Sequence, residues 1–285
     1  MCNGSIMDKL ISFSLPLMVS GILQLAFNAV DIIVVGRFSG SQALAAVGST
    51  TALINVFTNL FIGISLGANV LAARFYAAGK DREMSETVHT SITLALISGI
   101  MMAVIGVLLA KWALEIMGTP DDVIGQSALY MRIYFMGMPF FMLYNYGAAI
   151  LRAIGDTKRP LIFLIISGIA NAALNMILVI LFHMGVAGVA IGTIISQLIS
   201  CVLVLTCLYR SEGSYQLRFS KLKINGAYME QIFQVGVPAG IQSTVINLSN
   251  ALLQSSVNSF GSIAMAGYTA ANNILGFLYM SVNSI

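Results

Sequence analysis

The chain has 285 residues, of which 58% are hydrophobic and 9% charged, with a mean hydropathy of +0.90 and a formal net charge of +3. A soluble globular protein carries about 25% charged residues. So little charge cannot cover a water-facing surface, which excludes a soluble domain and leaves a polytopic membrane protein. The small positive charge matters through its distribution and is no sign of nucleic-acid affinity. Cys2, Cys201 and Cys207 are an odd set, and the last two sit in an apolar run, so free buried thiols are expected instead of a disulfide. The apolar stretch after Lys9 is too long for a leader's h-region and lacks a small-x-small cleavage site, so no cleavable leader is expected.

A helical span needs roughly 20 apolar residues. Eight runs qualify, at about 10–36, 49–78, 87–112, 122–151, 160–183, 186–209, 229–259 and 264–285. They are continuous instead of alternating, which predicts an all-α bundle and not a β-barrel. The first run carries Pro16, expected to kink it, and Asp31, the only acidic residue away from the ends of any predicted span. At 1.5 Å per residue the two lie about 22 Å apart along the helix. Gln24, Asn28 and Asp31 fall on one helical face. The fifth run carries Asn171 and Asn175 at i, i+4, and the sixth carries Thr193 and Gln197 in the same relation. Polar stripes in lipid must turn towards each other or towards a water-filled cavity. Amides and hydroxyls at such positions can be interhelical glue. A carboxylate costs several kcal/mol in a membrane and marks a functional site.

Eleven of the fourteen Lys and Arg residues fall at the N-terminus or in the second, fourth and sixth connections, and only Arg37, Lys111 and Arg132 in or near the odd ones. The positive-inside rule then puts the N-terminus in the cytoplasm. The longest polar stretch, 210–225, is a natural boundary between two bundles. An internal repeat supports it. Leu15-Pro16 recurs as Val237-Pro238, Asn28 as Asn250 and Phe38 as Phe260, each 222 positions on, and Ala43-Leu44-Ala45 meets Ala264-Met265-Ala266 one residue out of register. Six spans separate the copies, so both run the same way, as in transporters built from parallel repeats. The expected division is a six-helix N-terminal lobe at 1–209, a cytoplasmic loop at 210–228, and the first two helices of a second lobe at 229–285. Two complete repeats need roughly 2 × 222 residues, so the chain, stopping at Ile285 inside its eighth span, reads as incomplete.

A buried carboxylate surrounded by amide and hydroxyl oxygens can take a proton or bind a hard cation such as Na⁺, and either ion neutralises it. Neutralisation can bias two conformations, as coupled transport requires. His89 and His183 lie near opposite faces with no Cys/His spacing for a metal, and no Gly-rich nucleotide loop occurs, so no cofactor and no ATP-driven step are expected. An intramembrane aspartyl protease needs two carboxylates, and only Asp31 is available, so an enzyme is not expected.

Pro16 followed fifteen residues on by Asp31, the run VDIIVVGRFSGSQALAAVG from Val30 to Gly48, LRAIGDTKRPL from Leu151 to Leu161, the Asn171-x-x-x-Asn175 pair and Thr193 together resemble the multidrug and toxin extrusion (MATE) transporters. The resemblance extends over essentially the whole chain. It implies a multi-pass antiporter of the cytoplasmic membrane, monomeric when complete, that exports cationic or amphipathic organic compounds in exchange for H⁺ or Na⁺. It makes Asp31 the coupling carboxylate, with Gln24, Asn171, Asn175 and Thr193 around it, Asn28 and Gln197 as further cavity groups, and Pro16 as a hinge. Many relatives carry Asp where this chain has Asn175, and some carry an acidic residue in the seventh span where this chain has Ile246 and Asn247. The match is therefore closer to the DinF-like branch, whose coupling centres on the N-terminal lobe. The alternatives are a flippase for lipid-linked oligosaccharides, which calls for intramembrane basic residues where only Arg132 is a candidate, and an inert truncated fragment.

Overall fold

In a computed structural model, residues 6–116, 119, 121–258 and 275 are described, and among them every regular element is helical. The helices are α1 (Ile6–Phe38), α2 (Gly40–Ala77), α3 (Asp81–Ile116), α4 (Asp121–Met136), α5 (Met138–Ala153), α6 (Lys158–Met176), α7 (Gly185–Arg210) and α8 (Gly226–Asn258). Among the described residues five stretches are long and apolar enough to cross a membrane: Ile11–Phe38, Ala43–Ala77, Asp81–Ile116, Lys158–Leu181 and Gly185–Arg210. Polarity is inverted relative to a soluble bundle. Asn175 is 0% exposed while Leu108 is 72% exposed, because the outer surface faces hydrocarbon and only the interior offers hydrogen-bond partners. Interior hydroxyls meet their own helix: Thr58 donates to Ile54 O at 2.8 Å and Thr93 to His89 O at 2.8 Å.

The fourth expected span is not one helix. It breaks at Gly137 into α4 and α5, each 16 residues long. Pro139 has no N–H to donate to the preceding turn, and Gly137 instead closes a tighter bond to Tyr134 O at 3.0 Å. The fifth expected span also departs from a plain helix, since α6 widens into a π turn over Ile177–Leu181 immediately after Asn175. The seventh expected span corresponds to α8, whose many Gln, Asn and Ser residues keep it out of the five apolar stretches although it is 33 residues long. The eighth expected span, with Phe260 and Ala264 to Ala266 of the repeat, lies outside the described residues. Within the described residues α1 and α8 each contain an internal proline, Pro16 and Pro238. Both helices run on through their prolines.

Helix α2 packs against α1, α3, α4 and α5 on one side and α8 on the other. The α2–α8 contact is antiparallel and has a patch where backbone meets backbone, with Phe75 and Tyr228 in edge-on ring contact further along. A Cβ added at Gly236 would lie 2.5 Å from Ile64 Cα and 3.0 Å from Gly63 O, while one at Gly240 would lie 2.5 Å from Leu60 O. Small residues let helices approach this closely where lipid supplies no hydrophobic drive for association. At the end carrying the N-terminus, Gly155 adopts φ +88° and closes α5, with Asp156 N donating to Leu151 O at 2.9 Å. The polar segment 211–225 folds back onto the same end of the bundle. Leu217, fully buried, donates its N–H to Leu208 O at 3.0 Å.

Gly236→Val is expected to force α8 off α2 and lower the thermal midpoint in detergent, overpacking of this kind costing about 1–3 kcal/mol. Gly125→Ala, at a helical position where an added Cβ meets nothing within 4 Å, serves as control and leaves the midpoint unchanged or raised.

Candidate functional site

Asp31 stands in the final third of α1. Its neighbours Ile32 and Ile33 face outward, and its carboxylate is half-buried. The side-chain amide of Asn175, from α6, donates through Nδ2 to Asp31 Oδ1. The same nitrogen reaches Asn171 Oδ1 at 3.3 Å, Asn171 Nδ2 donates to Thr193 Oγ1 at 3.5 Å, and Thr193 Oγ1 donates to Val189 O at 2.9 Å. A directed chain of polar groups thus crosses from α1 through α6 into α7. An ionised carboxylate only accepts, so it selects the amide orientation with nitrogen towards Asp31. A protonated carboxyl would also tolerate the reverse.

Two close approaches make this geometry. Phe27, one turn before Asp31, lies against Gly168 of α6, where a Cβ would fall inside the ring. The pairs Phe27/Gly168 and Asp31/Asn175 advance together, so α1 and α6 run parallel and the first contact sets the register of the second. Gly192 of α7 faces Asn175 Oδ1 so closely that a Cβ there would overlap it. That oxygen is buried and has no hydrogen-bond partner among the described residues. A buried acceptor left unpaired costs about 1–3 kcal/mol. The oxygen faces the α7 backbone at Gly192 while the amide nitrogen faces Asp31.

Gln197 lies one turn beyond Thr193 on α7. Its amide sits beside the Tyr134 phenol, in space opened by Gly137, where a Cβ would lie 2.8 Å from Gln197 Oε1. Tyr134 stacks on Tyr130 at 6.1 Å and 30°, and both tyrosines lie within electrostatic reach of Asp31. The helix break that the sequence concealed therefore serves the site. Gln24 and Asn28 are brought to the same face of α1 but are exposed, and no hydrogen bond joins either to Asp31. Pro16 is buried in α1, with its carbonyl accepting from Ser20 Oγ at 2.7 Å. Arg132 is exposed and outside the cluster. Sequence reasoning missed Tyr130, Tyr134, Gly137 and Gly192. The i, i+4 tyrosine pair inside an expected span was the one legible signal.

Asp31, Asn171, Asn175 and Thr193 thus form a polar cluster across three helices of an all-α polytopic membrane protein. The MatE family model matches residues 16–177, more than half the chain, and the chain belongs to that family. Among curated proteins it is similar to the probable multidrug resistance protein YoeA of Bacillus subtilis (strain 168), with 33% identity over 282 residues, covering 96% of this chain and 60% of that protein. It is similar too to the multidrug export protein MepA of Staphylococcus saprophyticus, with 23% identity, covering 96% of this chain and 61% of that protein. Among solved structures, a MOP superfamily transporter from Pyrococcus furiosus superposes with a TM-score of 0.90 at 21% identity, covering 99% of this chain and 62% of that one. The outward-facing conformation of a multidrug resistance MATE family transporter gives 0.88 at 21% identity, covering 97% and 61%. At that identity the likeness concerns the fold. The chain spans about 60% of the length of the curated relatives it matches.

Gly192→Ala is expected to drive the Asn175 amide away from Asp31 and lower the thermal midpoint by a few degrees, equivalent to about 1–3 kcal/mol. Asn175→Ala removes the oxygen that the new methyl strikes, so Gly192→Ala costs less in that background. Strictly additive losses in the double variant would show that the contact is not made.

Proposed function

We propose that this protein is an ion-coupled antiporter that exports cationic or amphipathic organic compounds, with Asp31 as the group that binds the coupling ion. The observation that carries the reading is the hydrogen bond from Asn175 to Asp31, a carboxylate inside the apolar stretch Ile11–Phe38. In a membrane such a group is costly and persists where it is used. The curated relatives are described as multidrug resistance and multidrug export proteins, which supports the substrate class. Asn171, Thr193 and Asn175 Oδ1 are the oxygens around a proton or Na⁺ at Asp31, Gln24, Asn28 and Gln197 supply polar groups to the substrate side, and Pro16 is the hinge of α1. The single carboxylate is the DinF-like arrangement. We further propose the division into a six-helix unit at 1–209, a connecting loop at 210–228 and the start of a second unit from 229, a cytoplasmic N-terminus, residence in the cytoplasmic membrane as a monomer in contact with lipid, no cofactor and no enzymatic step.

The coupling step follows from the hydrogen bonds. With Asp31 ionised, Asn175 bridges α1 to α6. When a proton or Na⁺ neutralises the carboxylate, that bridge loses its charge-assisted character and α1 is freed to bend at Pro16, which withholds one backbone N–H from its own helix. A flippase reading would call for basic groups around the cluster, and the candidate Arg132 is exposed.

In proteoliposomes of the full-length protein, Asp31→Asn is expected to abolish gradient-driven ethidium efflux without reducing membrane insertion, and imposed H⁺ and Na⁺ gradients compared side by side identify the ion. Undiminished efflux by Asp31→Asn would sink the assignment. Asn175→Ala should impair coupling less than loss of Asp31. Pro16→Ala should slow turnover, and a wild-type rate removes the hinge role.

A further inference from the structure

Segment 211–225 does more than connect two helices. It is held against the first turns of α3 by four cross-links. Arg218 N–H donates to His89 Nε2 at 3.1 Å, so His89, 3% exposed, carries its proton on Nδ1 and gives it to Ser85 O at 2.6 Å. Asn225 N–H donates to Thr90 Oγ1 at 3.2 Å, Asn225 Nδ2 donates to Glu86 Oε2 at 2.7 Å, and Thr90 Oγ1 donates to Lys223 O at 3.5 Å. These bonds wall a cavity of about 750 Å³ lined by Arg82, Glu86, Thr90, Lys221, Lys223 and Asn225 among others.

The charge in this cavity is unbalanced. Glu86 is its one acid, and both its oxygens are occupied, Oε1 by Arg82 at 3.0 Å and Oε2 by Asn225. Neither Lys221 nor Lys223 lies within salt-bridge distance of a carboxylate among the described residues. One carboxylate therefore faces three cations across a preorganised polar groove, the setting for a phosphate-bearing anion. The apolar neighbours distinguish a lipid from a soluble anion. Phe219 is 55% exposed and Leu222 36% exposed, interleaved with the two lysines, and Phe219 stacks on the equally exposed Tyr209 at 5.8 Å and 27°. Aromatic and aliphatic groups presented beside ammonium heads match the headgroup–acyl boundary, where each meets its own solvent. Positive-inside topology explains the number of cations at this end. It does not require a walled cavity, a satisfied acid or this interleaving.

We propose that this groove binds the headgroup phosphate of an anionic phospholipid, with Lys221, Lys223 and Arg82 on the phosphate and Phe219 and Leu222 in the acyl boundary. The site requires only that the helices span a membrane, and it stands or falls separately from the transport reading. The test uses purified, delipidated protein in detergent, titrated with phosphatidylglycerol or with phosphatidylcholine of the same acyl chains, adducts being counted by native mass spectrometry. Phosphatidylglycerol adducts are expected to dominate. Lys221→Gln with Lys223→Gln is expected to cut them about thirtyfold, two near-surface charges being lost, while phosphatidylcholine adducts hold steady. Lys80→Gln with Lys158→Gln, at the same end of the bundle but outside the groove, is expected to preserve the preference. An undiminished preference in the Lys221/Lys223 variant, or an equal loss in both double variants, overturns the site. Displacement of phosphatidylglycerol by millimolar inorganic phosphate alone assigns the groove to a soluble anion and overturns the lipid.

Discussion

The structure depends on keeping one carboxylate in an apolar helix. Asp31 has to be met by a donor, and Asn175 meets it from α6. That requirement propagates. Asn175 is itself buried, so its amide leans on Asn171 and through it on Thr193, and three helices become committed to one register. Removing solvent strengthens each of these bonds and raises the cost of breaking any of them.

Glycines at helix crossings provide the space that the polar contacts need. Gly168 receives the Phe27 ring, Gly192 receives the Asn175 amide and Gly137 receives the Gln197 amide. Each places a flat side chain against bare backbone where a methyl group would block it. The α2–α8 crossing is different, for there backbone meets backbone over Gly63, Gly236 and Gly240. Beyond this glycine patch Phe75 of α2 meets Tyr228 of α8 edge-on at 5.5 Å, and α8 carries its own internal proline, Pro238.

The end of the bundle that carries the N-terminus is fastened by backbone donors as well as by the Arg82–Glu86 and Arg159–Asp156 ion pairs. His89 and Thr90, both buried in α3, accept the N–H groups of Arg218 and Asn225, so a segment with little regular structure is fixed across more than a hundred residues of sequence. With its main chain held this way, its lysines are left to face outward.

Composition and hydropathy made the all-α membrane class legible, because scarcity of charge and long apolar runs leave no other way to satisfy a backbone in lipid. Asp31, Asn171, Asn175 and Thr193 were legible too, as polar residues at helical spacing where lipid tolerates few. The break at Gly137 was hidden inside a hydrophobic run of spanning length, since apolarity is blind to whether a helix continues. Gly192, Gly168 and the tyrosine pair gained meaning only when α7, α6 and α4 were set beside α1, as did the separation of Asn175, bonded to Asp31, from Gln24 and Asn28, which share a face with it and do not touch it. The sequence by itself determined which residues a membrane would force inward. The tertiary structure decided which of them meet, because hydrogen bonds and close backbone approaches act across helices, where spacing along the chain carries no information.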